Sequence, residues 1–281
     1  MTKVLSVGVA TYDTIVLVEK YPAANERVIA HDIVQATGGP ATTAAVTLAR
    51  LGIDVSLSCV VGDDVAGQKI LDTLKAEGVD TRHVIVDPHT STAVGTIVVS
   101  ASEHTRAIMV QPQRTLPGKP ANIADYGWIH SDHFGMEALG LWGVRRGGVS
   151  KLSLDIGYEA PGLNPANFDL YAPSENVTTD VTTAVRDKNI VVISRGSDGS
   201  IYSDGKQTGT IPALSVDVVS TLGAGDVFHG ALVATQVWGM NLQEAVETAT
   251  IVAGISCRAL DGQSGIPTKA ELATYRAGAR S

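Results

Sequence analysis

Apolar and polar residues alternate over 15–18 and 27–34, on either side of the polar stretch Tyr21-Pro22-Ala23-Ala24-Asn25, and predict an antiparallel hairpin with one wet face. A second hairpin is predicted from 95–99 and 107–111, around the polar tip Ser102-Glu103-His104-Thr105. Elsewhere the period changes. Residues 3–10 read as a buried strand, 41–51 as a helix ended by Gly52, 55–60 as a strand and 66–77 as a helix. From Trp128 onward strands at 128–131, 152–156 and 190–194 alternate with helical stretches. The chain then closes on a glycine turn and two helices. Strands alternating with helices imply an α/β fold with a mainly parallel sheet covered on both faces. The two hairpins cannot join that sheet as βαβ units, so they are expected to form a small separate β-lid spanning about 12–36 and 91–113. No repeat or low-complexity linker divides the chain, and 1–281 reads as one domain.

Composition narrows the class. With 44% hydrophobic and 18% charged residues, the chain suits a globular core rather than disorder. A net charge of −8 and the lack of a basic run argue against a nucleic-acid partner. Cys59 and Cys257 have no metal or redox spacing and read as buried free thiols. Neither a leader peptide nor a membrane-spanning run is read, so a cytoplasmic location is expected, where the sequon Asn176-Val177-Thr178 has no role.

The chemistry concentrates in 216–233. A β-rich run (Val216, Val218, Val219) leads through Ser220 and Thr221 into Gly223-Ala224-Gly225. Asp226 follows, then an apolar helical pattern at Val227, Phe228, Ala231 and Leu232. A glycine turn opening a helix presents free N–H groups to an anion. A carboxylate beside that anion hole is odd unless it acts as a base, which is the pairing a phosphoryl transferase needs. The plain alternative is that Asp226 merely stabilises the helix N-terminus.

Ser220-Thr221-Leu222-Gly223-Ala224-Gly225-Asp226 resembles the C-terminal signature of the ribokinase-like (PfkB) carbohydrate kinases, and Gly38-Gly39-Pro40-Ala41-Thr42-Thr43-Ala44-Ala45 resembles their N-terminal signature. Val61-Gly62-Asp63-Asp64 and Gly262…Gly265-Ile266-Pro267 also match, so the resemblance covers essentially the whole chain. It implies a three-layer ribokinase-like fold with a β-lid, often a dimer contact, and an ATP- and Mg²⁺-dependent kinase. On this resemblance Asp226 is the general base, and the backbone of Gly223, Ala224 and Gly225 forms the anion hole. Asp13, Gly38, Gly39 and Thr43 would meet the sugar, with His133 and Asp132 as further contacts at a strand end. Ser194, Gly196 and Gly199 would contact the nucleotide, as would Thr221, Ala253 and Cys257. Glu175 would reach the magnesium through water. His229 reads as structural.

Three positions depart from the family pattern. Thr43 stands for a sugar-binding Asn, Ala172 for the Asn of an N-x-x-E motif, and Ser220 for the Asp that helps hold potassium in activated relatives. The signatures resemble most closely the kinases of ketoses and modified hexoses, including sulfofructose kinases. His133 and Val110 stand where that branch's sulfonate-binding groups are expected. The expected function is therefore an ATP-dependent kinase of a ketose or related small sugar. A nucleoside kinase of the same fold and a turnover-deficient regulatory protein are the alternatives.

Overall fold

The computed structural model describes residues 2–112, 114–158 and 160–278. In chain order the first half holds β1 (Lys3–Val7), β2 (Thr11–Val18), β3 (Asp32–Gly38), α1 (Pro40–Arg50), β4 (Val55–Ser58), β5 (Val60–Gly62), α2 (Val65–Ala76), β6 (Ile85–Asp87), β7 (Ala93–Ser100) and β8 (Thr105–Gln111). The second half holds β9 (Tyr126–Ser131), α3 (His133–Leu141), β10 (Lys151–Ile156), β11 (Leu170–Pro173), α4 (Val181–Ala184), β12 (Ile190–Ser194), β13 (Ser200–Ser203), β14 (Thr208–Ile211), α5 (Ala224–Val237), α6 (Leu242–Ser256) and α7 (Lys269–Gly278). Local chemistry marks several starts. Pro40 sits in the first turn of α1, and the side chains of Asp64, Asp132 and Asn241 accept N–H bonds at the starts of α2, α3 and α6.

The central sheet has eight strands in the order β14-β13-β12-β11-β10-β9-β1-β4. It is parallel from β12 to β4, and β13 and β14 extend it as an antiparallel edge. On one face Leu48, Leu57, Ile70, Leu232, Val252 and Leu272 belong to one core with α1, α2, α5, α6 and α7. On the other face Leu5, Ile129, Leu139, Leu154, Val181 and Ile193 form a second core with α3 and α4. Both faces are thus covered, as a buried parallel sheet requires.

The lid is a separate four-stranded sheet, order β3-β2-β7-β8. Its outer pairs are antiparallel hairpins, and β2 and β7 join them in parallel. Ile15, Ile97 and Val99 face inward and pack with Leu222 and Leu260, next to the Gly223 turn.

Some expectations need correction. The strand expected over 27–34 lies at Asp32–Gly38, where pairing with β2 sets the register; Ile29 has no strand partner and is 89% exposed. The run Val216–Val219 is irregular rather than a strand: Val219 and Ser220 donate their N–H groups to the Cys257 carbonyl (2.9 and 3.2 Å) at the end of α6. The strand expected over 55–60 breaks at Cys59, and β5 pairs with β6 instead of joining the main sheet. Three helices, not two, follow the glycine turn. The expected lid segment 91–113 extends to Gln113, which lies outside the described residues.

Candidate active site

The N-terminus of α5 is held open by its turn. Gly223 has φ 70°, a left-handed value that a side chain strains to adopt. Gly262 backs it, because a Cβ there would lie 2.6 Å from the Leu222 carbonyl oxygen. The first i→i−4 bond of the helix runs from Val227 N–H to Gly223 O at 2.9 Å. The N–H groups of Gly225 and Asp226 precede it and have no helical acceptor. Ala224 is a correction to the expected donor set: its N–H bonds the Thr221 carbonyl at 3.3 Å, so it is already partly engaged. A Cβ on Gly225 would meet nothing within 4 Å, so the start of α5 is open at that position.

Asp226, in the first turn, is a partly exposed residue in an acidic, poorly solvated setting. Burial of its carboxyl and the charge of Asp155 push its pKa up to about 8; Asp132 adds to this, while His229 and Arg106 oppose it. His229 lies one turn further along α5. Its Nδ1 is 2.6 Å from Asp155 Oδ2, close enough for an ion pair but poorly aligned for a hydrogen bond. Burial alone would lower the His229 pKa, yet Asp155, Asp226 and the Ala172 carbonyl outweigh it and raise it. Neighbouring His130 bonds Ser153 Oγ at 2.9 Å, and burial drives its pKa down to about 4. One buried imidazole therefore favours its charged form and the other its neutral form.

The lid meets this turn at Leu222 and Thr221. Asp13 on β2 is buried on the inner face, where Thr11 Oγ1 donates to it at 3.0 Å. Gly38 and Gly95 flank it, and a Cβ at either would strike its carboxylate. Burial raises the Asp13 pKa against the hydrogen bonds of Thr11 and Gly95. Gly39, φ 94°, caps α1 and leaves no room for a Cβ beside the Val9 carbonyl. Thr43 is 3% exposed and accepts a bond from Gln263 Nε2 at 3.1 Å, so an amide absent from 43 itself arrives from the C-terminal loop. Arg106 on β8 donates from Nη1 to Thr221 Oγ1 at 2.8 Å, tying lid to turn.

An anion hole, an adjacent carboxyl and a lid carrying a second carboxyl are the parts of a phosphoryl-transfer site. The sequence profile of the pfkB family carbohydrate kinases matches residues 1–126 and 167–269. The chain belongs to this family. Ribokinase of Bacillus subtilis (strain 168) is similar at 25% identity over 297 residues, covering 97% of this chain and 98% of that protein. Ribokinase from Cryptococcus neoformans var. grubii serotype A, solved with ADP, has a TM-score of 0.82 at 20% identity, over 98% of this chain and 100% of that one. The Burkholderia thailandensis nucleoside kinase solved with inosine has a TM-score of 0.79 at 20% identity, over 99% and 98%. These two structures share the fold. As a pfkB kinase the chain is an ATP-dependent carbohydrate kinase, with an alcohol group as phosphoryl acceptor.

A pfkB kinase also needs a nucleotide surface. Ser194 ends β12, and the turn Gly196–Asp198 follows, closed by Arg195 N–H to Gly199 O at 2.8 Å. Gly199 is required there, since a Cβ would strike the Ile211 carbonyl. Ala253 and Cys257 lie at the C-terminal end of α6, with Cys257 Sγ donating to Ala253 O at 3.3 Å. Ser220 is 3% exposed, and its Oγ accepts from Leu222 N–H at 3.1 Å, so it is spent on the turn. Glu175 is exposed just past β11, its N–H bonded to Ser194 O at 2.9 Å. Among the described residues no three His, Cys, Asp or Glu cluster to hold a metal. One exposed carboxylate acting through water fits magnesium, which keeps several waters and leans on nucleotide phosphates.

Asp132 is not free to bind sugar. Its Oδ1 accepts from Gly135 N–H (2.9 Å) and its Oδ2 from Val9 N–H (2.7 Å) and Ala41 N–H (3.4 Å), which fastens β1 to the starts of α1 and α3. His133 is half-buried, edge-on to Phe134 and Tyr158 at ring-centroid distances of 4.7 and 5.2 Å. Arg106, Gln263 and the Asp155–His229 pair carried no local sequence signal. Each meets a partner far along the chain.

Proposed function

We propose that this kinase transfers the γ-phosphoryl group of ATP to a hydroxyl of a ketose or related small sugar held between lid and core. Asp226 takes the proton of the attacking hydroxyl, and the N–H groups at the start of α5 hold the moving phosphoryl group. Asp13 orients the sugar by accepting from its hydroxyls, with Gly38, Gly39 and Thr43 as further contacts. Ser194, Gly196, Gly199, Thr221, Ala253 and Cys257 face the nucleotide, and Glu175 steadies the waters of a magnesium ion. The whole chain acts as one kinase domain.

The observation that carries this reading is the inner face of the lid. Its register places Asp13, Gly95 and Val110 side by side, then Ile15, Ile97 and Ile108, then Leu17, Val99 and Arg106. Among the described residues no aromatic ring stands on that face to stack a purine, which favours a sugar over a nucleoside. The edge of β8, unpaired among the described residues and with Met109 exposed on its outer face, supports dimerisation through the lid, and two free thiols suit a reducing cytoplasm. A coupled ADP-release assay over a panel of ketoses, aldoses and nucleosides, with magnesium, tests the reading. Turnover with a small sugar and none with nucleosides is expected; preferential turnover of nucleosides would overturn it.

A further inference from the structure

We propose that Arg106 is a catalytic cation, carried by the lid and aimed at the phosphoryl group in transit; the proposal rests on the kinase reading above. Three observations converge on it. Arg106 pairs across the sheet with Val99, so it shares the inner face that packs on Leu222, the residue before Gly223. Its Nη1 is anchored on Thr221 Oγ1 at 2.8 Å, two residues from that turn. Among the described residues its Nε and Nη2 have no hydrogen-bond partner, and the side chain is exposed. One arm of the fork is therefore fixed, and the N–H groups of Nε and Nη2 are left over.

Charge explains why such a group is needed. Asp132 and Asp155 both bear on Asp226, and the chain as a whole carries −8. The α5 N-terminus offers neutral N–H donors, and the Gly-Ala-Gly-Asp turn has no lysine of the kind that follows the glycines of a phosphate-binding loop. An approaching triphosphate meets net repulsion that backbone dipoles alone offset weakly. The charge of Arg106 already bears on Asp226, in the first turn of α5, and on Cys257, at the end of α6. In the transfer, the sugar oxygen bonds to the γ-phosphorus as the bond to the β,γ-bridging oxygen breaks. The hydroxyl proton goes to Asp226, and the bridging electron pair leaves on ADP. Arg106 makes and breaks no covalent bond. Its free arm donates to the equatorial oxygens, where charge builds.

The test compares R106A and R106K with wild type in ADP release, and in equilibrium binding of ADP and a non-hydrolysable ATP analogue. R106A is expected to lower kcat by about 10²- to 10³-fold with the sugar KM within about threefold of wild type. It should weaken the ATP analogue by at least tenfold more than ADP, and millimolar guanidinium should restore part of its kcat. R106K, which cannot span Thr221 and two oxygens, should recover only a fraction. Unimpaired turnover by R106A, beside an inactive D226N, overturns the proposal and leaves the kinase reading standing. Equal weakening of ADP and the analogue with no guanidinium rescue also overturns it, because Arg106 would then only be holding the lid. A wild-type chain that phosphorylates nothing in the panel removes the kinase reading and this proposal together.

Discussion

His229 Nδ1 on α5 and Asp155 Oδ2 on β10 sit 2.6 Å apart, one turn along the helix from Asp226. Both residues are under 10% exposed. Deleting one partner leaves the other as an uncompensated buried charge, so D155A should lose about 3–5 kcal/mol of stability. The sign with pH follows. The His229 pKa is raised above 6.5, so its contribution is full below 6.5 and is lost as pH rises through the folded value. Asp226, also raised, acts in the same direction. Thermal melts from pH 6 to 9 should show Tm falling with pH, with a shallower slope in D155N. A flat wild-type profile would contradict the ion pair.

The same neighbourhood sets the rate. With Asp226 pushed up to about 8, the free enzyme should show kcat/KM rising through an apparent pKa near that value. H229N removes a nearby positive charge and should move the limb to higher pH. D226N should cut kcat by at least about 10²-fold and abolish the limb. Rates at subsaturating substrates between pH 6 and 10 check all three.

Gly225 separates folding from function. A methyl group there meets no protein atom within 4 Å and lies in a helix, so G225A should hold or raise stability by up to about 1 kcal/mol. The same methyl enters the open space at the start of α5 and should slow turnover at least tenfold. G262A should instead destabilise, because its Cβ would crowd the Leu222 carbonyl at a left-handed position, costing about 1–3 kcal/mol. Chemical denaturation paired with steady-state rates distinguishes the two.

Potassium should matter little. Ser220 replaces a carboxylate with a hydroxyl that is buried and bonded to Leu222 N–H. Exchanging potassium for a large organic cation at fixed magnesium and ionic strength should leave ADP release within about twofold, since a neutral hydroxyl binds monovalent cations poorly. A strong loss would mean that backbone carbonyls alone build a cation site.

The two glycine-led helix starts and the hairpins were legible in the sequence because their requirements are local: a left-handed Gly39 or Gly223, an alternating strand, a turn. Val216–Val219 misled because β propensity needs an edge to pair with, and this segment runs beside α6 instead. The β13–β14 hairpin was missed since Ser200–Ser203 and Thr208–Ile211 form a polar sheet edge with little apolar alternation. Asp132 looked like a strand-end ligand, and only its three backbone partners reveal a cap. Arg106 meets Thr221 across 115 positions and Thr43 meets Gln263 across 220, so no local pattern announces either.

The parallel pairing of Thr11–Val18 with Ala93–Ser100 joins segments separated in the chain by everything from β3 to β6. Closing that long loop costs chain entropy before the pairing repays it, so the surface bearing Asp13 and Arg106 rests on a contact of high sequence separation. Once welded, the two hairpins form one plate. Asp13 and Arg106 are then borne by the same sheet, so a substitution that loosens the β2–β7 pairing disturbs both positions together.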